Sequence, residues 1–241
     1  MIGDPLYLGG GTRSGGNATV PPDAPLGAQA FVDAAYQGII IQPGGFVGGR
    51  IPFISDYANL YLSGFGFTSV AFGALASVGS NAVITLDGNQ LASADFGALV
   101  SVGISAIISL SGNQLASADF GALTTLSSNA SLSLSGNQLA SVGFGALASV
   151  GSNAILALDG NPLTQPPDLS ALTSFGGTLS LPYCQLDSAG VDAFLIQIAP
   201  AVQSNAYIDV SGQQPSGAPP TSASSDARVQ IIATGATLIT D

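Results

Sequence analysis

The chain has 241 residues, enough for one large domain or two small ones with a buried core. Its 14 acidic residues are all aspartate, its three cations are all arginine (Arg13, Arg50, Arg228), and histidine is absent, for a net charge of −11. That balance leaves no basic patch for nucleic-acid phosphates or anionic lipid headgroups, and no imidazole for a Ser-His-Asp unit or a zinc site.

Residues 1–59 read as an extended Gly/Pro-rich arm and cap. The first 25 are rich in Gly, Pro and Asn and cannot bury enough apolar surface to fold alone. The N-terminus lacks a basic n-region and a continuous apolar core, so it is not read as a Sec signal. GGGTRSGG resembles a phosphate loop only superficially, since no GK[ST] follows and no strand precedes it. Ala28 to Gln37 has the length of one short helix, and GIIIQPGGFVGGRIPF reads as strand or as an N-terminal cap. Ordering an arm of this kind costs about 1–2 kcal/mol per residue in backbone entropy. A neighbouring protein subunit is therefore the expected partner.

Beyond residue 60 the chain repeats itself. ITLDGNQLASADFGALVSVG, ISLSGNQLASADFGALTTLS, LSLSGNQLASVGFGALASVG and LALDGNPLTQPPDLSALTSF align without a gap. Their asparagines, Asn89, Asn113, Asn137 and Asn161, stand 24 residues apart, each three residues after a leucine of the set Leu86, Leu110, Leu134 and Leu158. A fixed period of this length is the mark of a solenoid. Ile84 and Leu86 point to one side of a short strand while Thr85 faces out. An asparagine at one inward position of every coil can meet the backbone groups left at the turn, as a ladder. Phe96, Leu99 and Val102 follow at i, i+3 and i+6, which predicts a short helical or 3₁₀ segment. Two stretches of 23 residues, Gly64–Leu86 and Phe96–Ala118, carry no charge. Their recurring Gly, Ser and Asn fit a repeat better than a membrane helix.

With LxLxxN/CxL on the page, the chain resembles the leucine-rich repeat family. The resemblance implies an α/β solenoid, an LRR-like stack of about seven coils with short parallel strands, over residues 60–241. Stepping back 24 from Asn89 places Phe65 in the ladder column, and LSLPYCQL places Cys184 there, a substitution the family permits. VDAFLIQIAPAVQSNAYIDVSGQQ reads as a longer, more helical coil, and Val229 to Ile239 as a cap. The sequence departs from the family at Asn81, Ser105, Asn129 and Asn153, where its first leucine belongs, and in a Phe96, Phe120, Phe144 column that comes early.

The strand face is the family's usual binding surface. Here it presents Tyr61, Thr85, Ser109, Ser133, Ala157, Ser180 and Asp209, with Val83, Ile107, Ser131 and Ile155 beside them, and lacks the Trp and Arg of binding hot spots. Asp95 and Asp119 share a column and are read as caps of successive helical turns, with a calcium pair as the alternative. Asp87 and Asp159 lie about three coils apart, too far for a catalytic pair. Asn17-Ala-Thr19 and Asn129-Ala-Ser131 match glycosylation sequons. The expectation is a protein without enzymatic activity, cofactor or metal, acting as a structural or interaction component of an assembly, with self-association a further possibility. A phage virion protein (head decoration, tail or fibre) is the leading form. A free ligand-binding repeat protein, such as an extracellular or cell-surface adhesin or an effector, is the alternative.

Overall fold

The computed structural model describes residues 51–241 apart from Pro215, and in the first fifty residues only the backbone of five short strands. The chain winds as a parallel β-solenoid of about five turns whose walls are three sheets. One regular coil shows the pattern. Ser77–Val78 lies on the first wall, Val83–Thr85 on the second and Ser93–Asp95 on the third. The next coil repeats this with Ser101–Val102, Ile107–Ser109 and Ser117–Asp119, paired in parallel and in register with the strands before. Twenty-four residues shared among three walls leave two or three residues of strand per side and a corner between.

The second wall is the longest. From Asn59–Tyr61 it runs in parallel through the coils to Thr178–Ser180, Tyr207–Asp209 and Thr237–Ile239. Phe53–Ile54, inside the segment read as arm and cap, already pairs with Ser77–Val78. Of the helix expected over Ala28–Gln37, only Val32–Asp33 is described, and it is strand. Ile40–Gln42 and Gly45–Val47 form an antiparallel pair on the third wall. GGGTRSGG lies outside the described residues, and the first sequon is described only at Asn17–Ala18.

This is not the α/β leucine-rich repeat stack of about seven coils that the resemblance implied. Phe96 and Leu99 close a β-turn, Leu99 N–H donating to the Phe96 carbonyl at 2.9 Å, and Val102 lies in the following strand. A turn followed by a strand gives the same three-residue spacing of inward side chains as a 3₁₀ helix. Each wall is too short for the two periods to separate. Helix is confined among the described residues to the C-terminal part: α1 (Ser188–Ile198), α2 (Ser225–Ala233) and two 3₁₀ turns. The longer helical coil expected there is α1, and α2 with Thr237–Ile239 closes the stack.

Two corners explain the sequence's departures. Asn81, Asn129 and Asn153 have φ +58° and Ser105 +55°, the left-handed region that Asn tolerates better than Leu. Gly88, Gly112, Gly136 and Gly160 hold the next corner at φ +63° to +66°. The core runs unbroken along the axis. The coil from Ser77 to Val100 buries six large side chains, Val78, Ile84, Leu86, Leu91, Phe96 and Leu99. Fully burying a side chain of this kind contributes about 1.5–3 kcal/mol. Phe72, Phe96, Phe120 and Phe144 stack with centroids 5.0, 5.2 and 5.7 Å apart. The uncharged 23-residue stretches are coils of this solenoid, and no described helix is long and apolar enough to cross a membrane.

Candidate functional site

Asn89, Asn113, Asn137 and Asn161 are buried at one corner and bridge successive coils. Asn113 Nδ2 donates to the Leu86 carbonyl of the coil before at 3.0 Å and to Leu110 of its own at 2.9 Å, while its Oδ1 accepts from Leu91 N–H at 3.2 Å. Asn137 and Asn161 repeat all three contacts one and two coils on. Each shared leucine carbonyl thus accepts from two asparagines. Cys184 Sγ faces the Leu158 carbonyl at 3.5 Å, and Leu163 N–H bonds the Asn161 carbonyl instead. Burial pushes the Cys184 thiol up to about 11. Gln213 then restores the full pattern: Nε2 to the Leu181 and Val210 carbonyls at 2.8 and 3.0 Å, Oε1 from Leu186 N–H at 3.1 Å. Gln213 stands near the end of the segment VDAFLIQIAPAVQSNAYIDVSGQQ, and the sequence pattern alone does not assign it to the ladder. Its signal was an amide three residues after Val210, as each asparagine follows its leucine.

The long wall places the candidate interaction residues in two straight columns. Asn59, Val83, Ile107, Ser131, Ile155 and Thr178 align by strand register, as do Tyr61, Thr85, Ser109, Ser133, Ala157 and Ser180. Ile107, Ile155 and Tyr61 are 38%, 41% and 45% exposed, a mixed apolar and hydroxyl surface without a cation. At its border a hydrogen-bonded row crosses the coils. Asp87 Oδ1 accepts from Ser109 Oγ at 2.5 Å and Ser111 N–H at 2.8 Å. Ser111 and Ser133 hydroxyls meet at 2.7 Å, and Asp159 accepts from Ser135 Oγ at 3.0 Å and from Ser180 Oγ. Asp87 and Asp159 are therefore ends of a serine row and do not converge on one point.

The third wall carries Asp95 beside Asp119, then Gly143 and Asp168 in the same register. Each carboxylate caps a β-turn; the helical turns expected there do not form. Oδ1 of Asp95, Asp119 and Asp168 accepts from the amide two residues on, Gly97, Gly121 and Ser170, at 3.1, 2.9 and 3.0 Å. The Ser170 hydrogen bonds hold the Asp168 carboxyl below the usual range. Among the described residues, no group of three or more Asp, Glu, His or Cys could hold a metal ion. Beside Asp95 and Asp119 lies an open groove of about 520 Å³, floored by Ser93, Ser117, Gly121, Gly143 and Gly145.

At the C-terminal end, Asp192 on α1 is buried and accepts from Thr221 N–H at 2.9 Å, from Thr221 Oγ1 and from Ser224 Oγ at 2.5 Å. Asp241 accepts from Gly212, Gln213 and Ala218 amides at 2.5, 3.2 and 2.8 Å. Burial raises both carboxyls, and the hydrogen bonds outweigh it and leave them below their ordinary value, with Arg228 assisting at Asp192. Comparison with known protein families, curated proteins and solved structures gives no match, so the chain stands on its own geometry as a three-walled parallel β-solenoid.

Proposed function

We propose that the protein is a non-enzymatic structural or interaction component of a larger assembly, which it joins through its N-terminal arm and the long wall. A virion surface protein, as head decoration, tail or fibre, is the form of assembly this reading names. The observation that carries it is the flat run of Val83, Ile107 and Ile155 beside Tyr61, Thr85, Ser109 and Ser133, exposed or half-buried and uncharged. Such a run loses little by desolvation on contact with another protein, because its own side chains are uncharged and the Asp87 and Asp159 carboxylates at its border already accept from serine hydroxyls.

The test compares three forms of the chain by sedimentation and by pull-down from the cells that produce it: full length, lacking residues 1–25, and carrying Ile107→Asp with Ile155→Asp. Loss of co-sedimenting partner or of self-association in either altered form is the expected result. Unchanged association in both would overturn the reading. A second reading, a free ligand-binding solenoid such as an adhesin or effector, draws on the groove beside Asp95 and Asp119. It predicts ligand uptake by the isolated chain that Asp95→Ala with Asp119→Ala removes.

A further inference from the structure

Residues 211–241 are built differently from the coils they close. They bury one large apolar side chain, Ile231, together with Ala218, Ala227 and Ala236, where a regular coil buries six large ones in fewer residues. The exposed side of α2 carries Val229 and Ile232. Besides the Gln213 rung at its start, what ties the segment down is largely polar contact with two aspartates. Asp241 gathers three amides from the loop after Val210, and Asp192 reaches from α1 to the Thr221–Ser224 turn that opens α2. Arg228, the sole cation among the described residues, sits on α2 beside this second contact and donates to the Thr221 carbonyl at 2.9 Å. A unit with so little apolar burial belongs to the low-stability end of the molecule.

We infer that residues 211–241 form a clasp, locked by Asp192 and Asp241, that opens in acid as a unit before the solenoid unfolds. Opening bares the Tyr207–Asp209 strand as the new sheet edge. The groups facing the two carboxylates set the sign. Against Asp192 stand the Thr221 amide and hydroxyl, the Ser224 hydroxyl and the Arg228 charge; against Asp241 stand the Gly212, Gln213 and Ala218 amides. All of these favour the ionised carboxylate. Both carboxyls are held below the ordinary aspartate range, so the stability they add is present above that range and is lost as the pH falls through and below it. On the third wall the Ser170 hydrogen bonds lower Asp168 too, but it caps a single turn at the surface and joins no second segment.

The experiment follows backbone amides of the full-length chain by NMR between pH 7 and pH 2. Gly212, Gln213, Ala218 and Thr221 report the clasp, and Leu91, Leu115 and Leu139 report the ladder. The clasp amides are expected to leave their native positions about half a pH unit or more above the ladder amides. Asp192→Asn with Asp241→Asn, at pH 7, is expected to open the clasp with the ladder amides in place. One shared acid transition for both sets, or a closed clasp in the double variant, would overturn the inference. Thr221→Val with Ser224→Ala, which leaves both carboxylates present, should move the clasp transition to higher pH. An unmoved transition in that variant would also count against it.

Discussion

The ladder makes a prediction that separates its interior from its end. In Asn113→Ala, the Leu86 carbonyl keeps its bond from Asn89 Nδ2 and the Leu110 carbonyl keeps its bond from Asn137 Nδ2. Only the Leu91 amide loses its partner. One orphaned buried donor costs about 1–3 kcal/mol. In Asn89→Ala the count is higher. The Phe67 amide loses Oδ1, and the Leu62 carbonyl loses Nδ2 with no second asparagine to replace it, because Phe65 occupies the ladder column one coil earlier. Two orphaned groups put the cost near twice that of the interior rung, roughly 2–6 kcal/mol. Urea unfolding reads the difference. With a slope of about 2 kcal/mol per M, a loss of ~2 kcal/mol lowers the midpoint by about 1 M. Asn89→Ala should lower it about twice as far as Asn113→Ala. Equal shifts would refute the shared-carbonyl argument, and an unmoved midpoint in both would refute the ladder as a source of stability.

Two further predictions follow from the packing. At Gly103 a Cβ would fall 2.7 Å from the Gly79 and Ser80 backbone, while at Gly143 nothing lies within 4 Å. Gly103→Ala should therefore lower the thermal midpoint by several degrees while Gly143→Ala leaves it unchanged or raises it slightly, by stiffening the unfolded chain. Cys184, buried and with its thiol raised to about 11, should resist a thiol-specific reagent at pH 8 and react once the chain is unfolded in denaturant. Rapid labelling of the folded protein would contradict its place in the core.

The ladder column was legible because one residue type recurs at one spacing, and its inward place follows from the leucines beside it. The wall structure was not legible. Phe96, Leu99 and Val102 satisfy a helical spacing, yet the hydrogen bonds make them a turn and a strand. A wall of two or three strand residues contains no window in which alternation could show. Asn81, Asn129 and Asn153 looked like missing leucines because a propensity argument sees a side chain and not a dihedral angle. Their positive φ is the reason leucine is absent. The clasp residues Asp192 and Asp241 carry no local signal at all. Their partners lie 23 to 32 positions away in sequence, and only the folded chain brings them together.

The twofold sharing at each leucine carbonyl bears on how such a chain can change over generations. Between Asn89 and Asn161, what one coil leaves unmet the next coil supplies with the same atoms. Duplication or deletion of 24 residues in that stretch would keep every ladder hydrogen bond in kind. Coil number is then open to drift by gene duplication, and rod length becomes an inherited variable. The two ends cannot drift in this way, because Phe65 contributes no donor and Gln213 meets a longer coil with a longer amide.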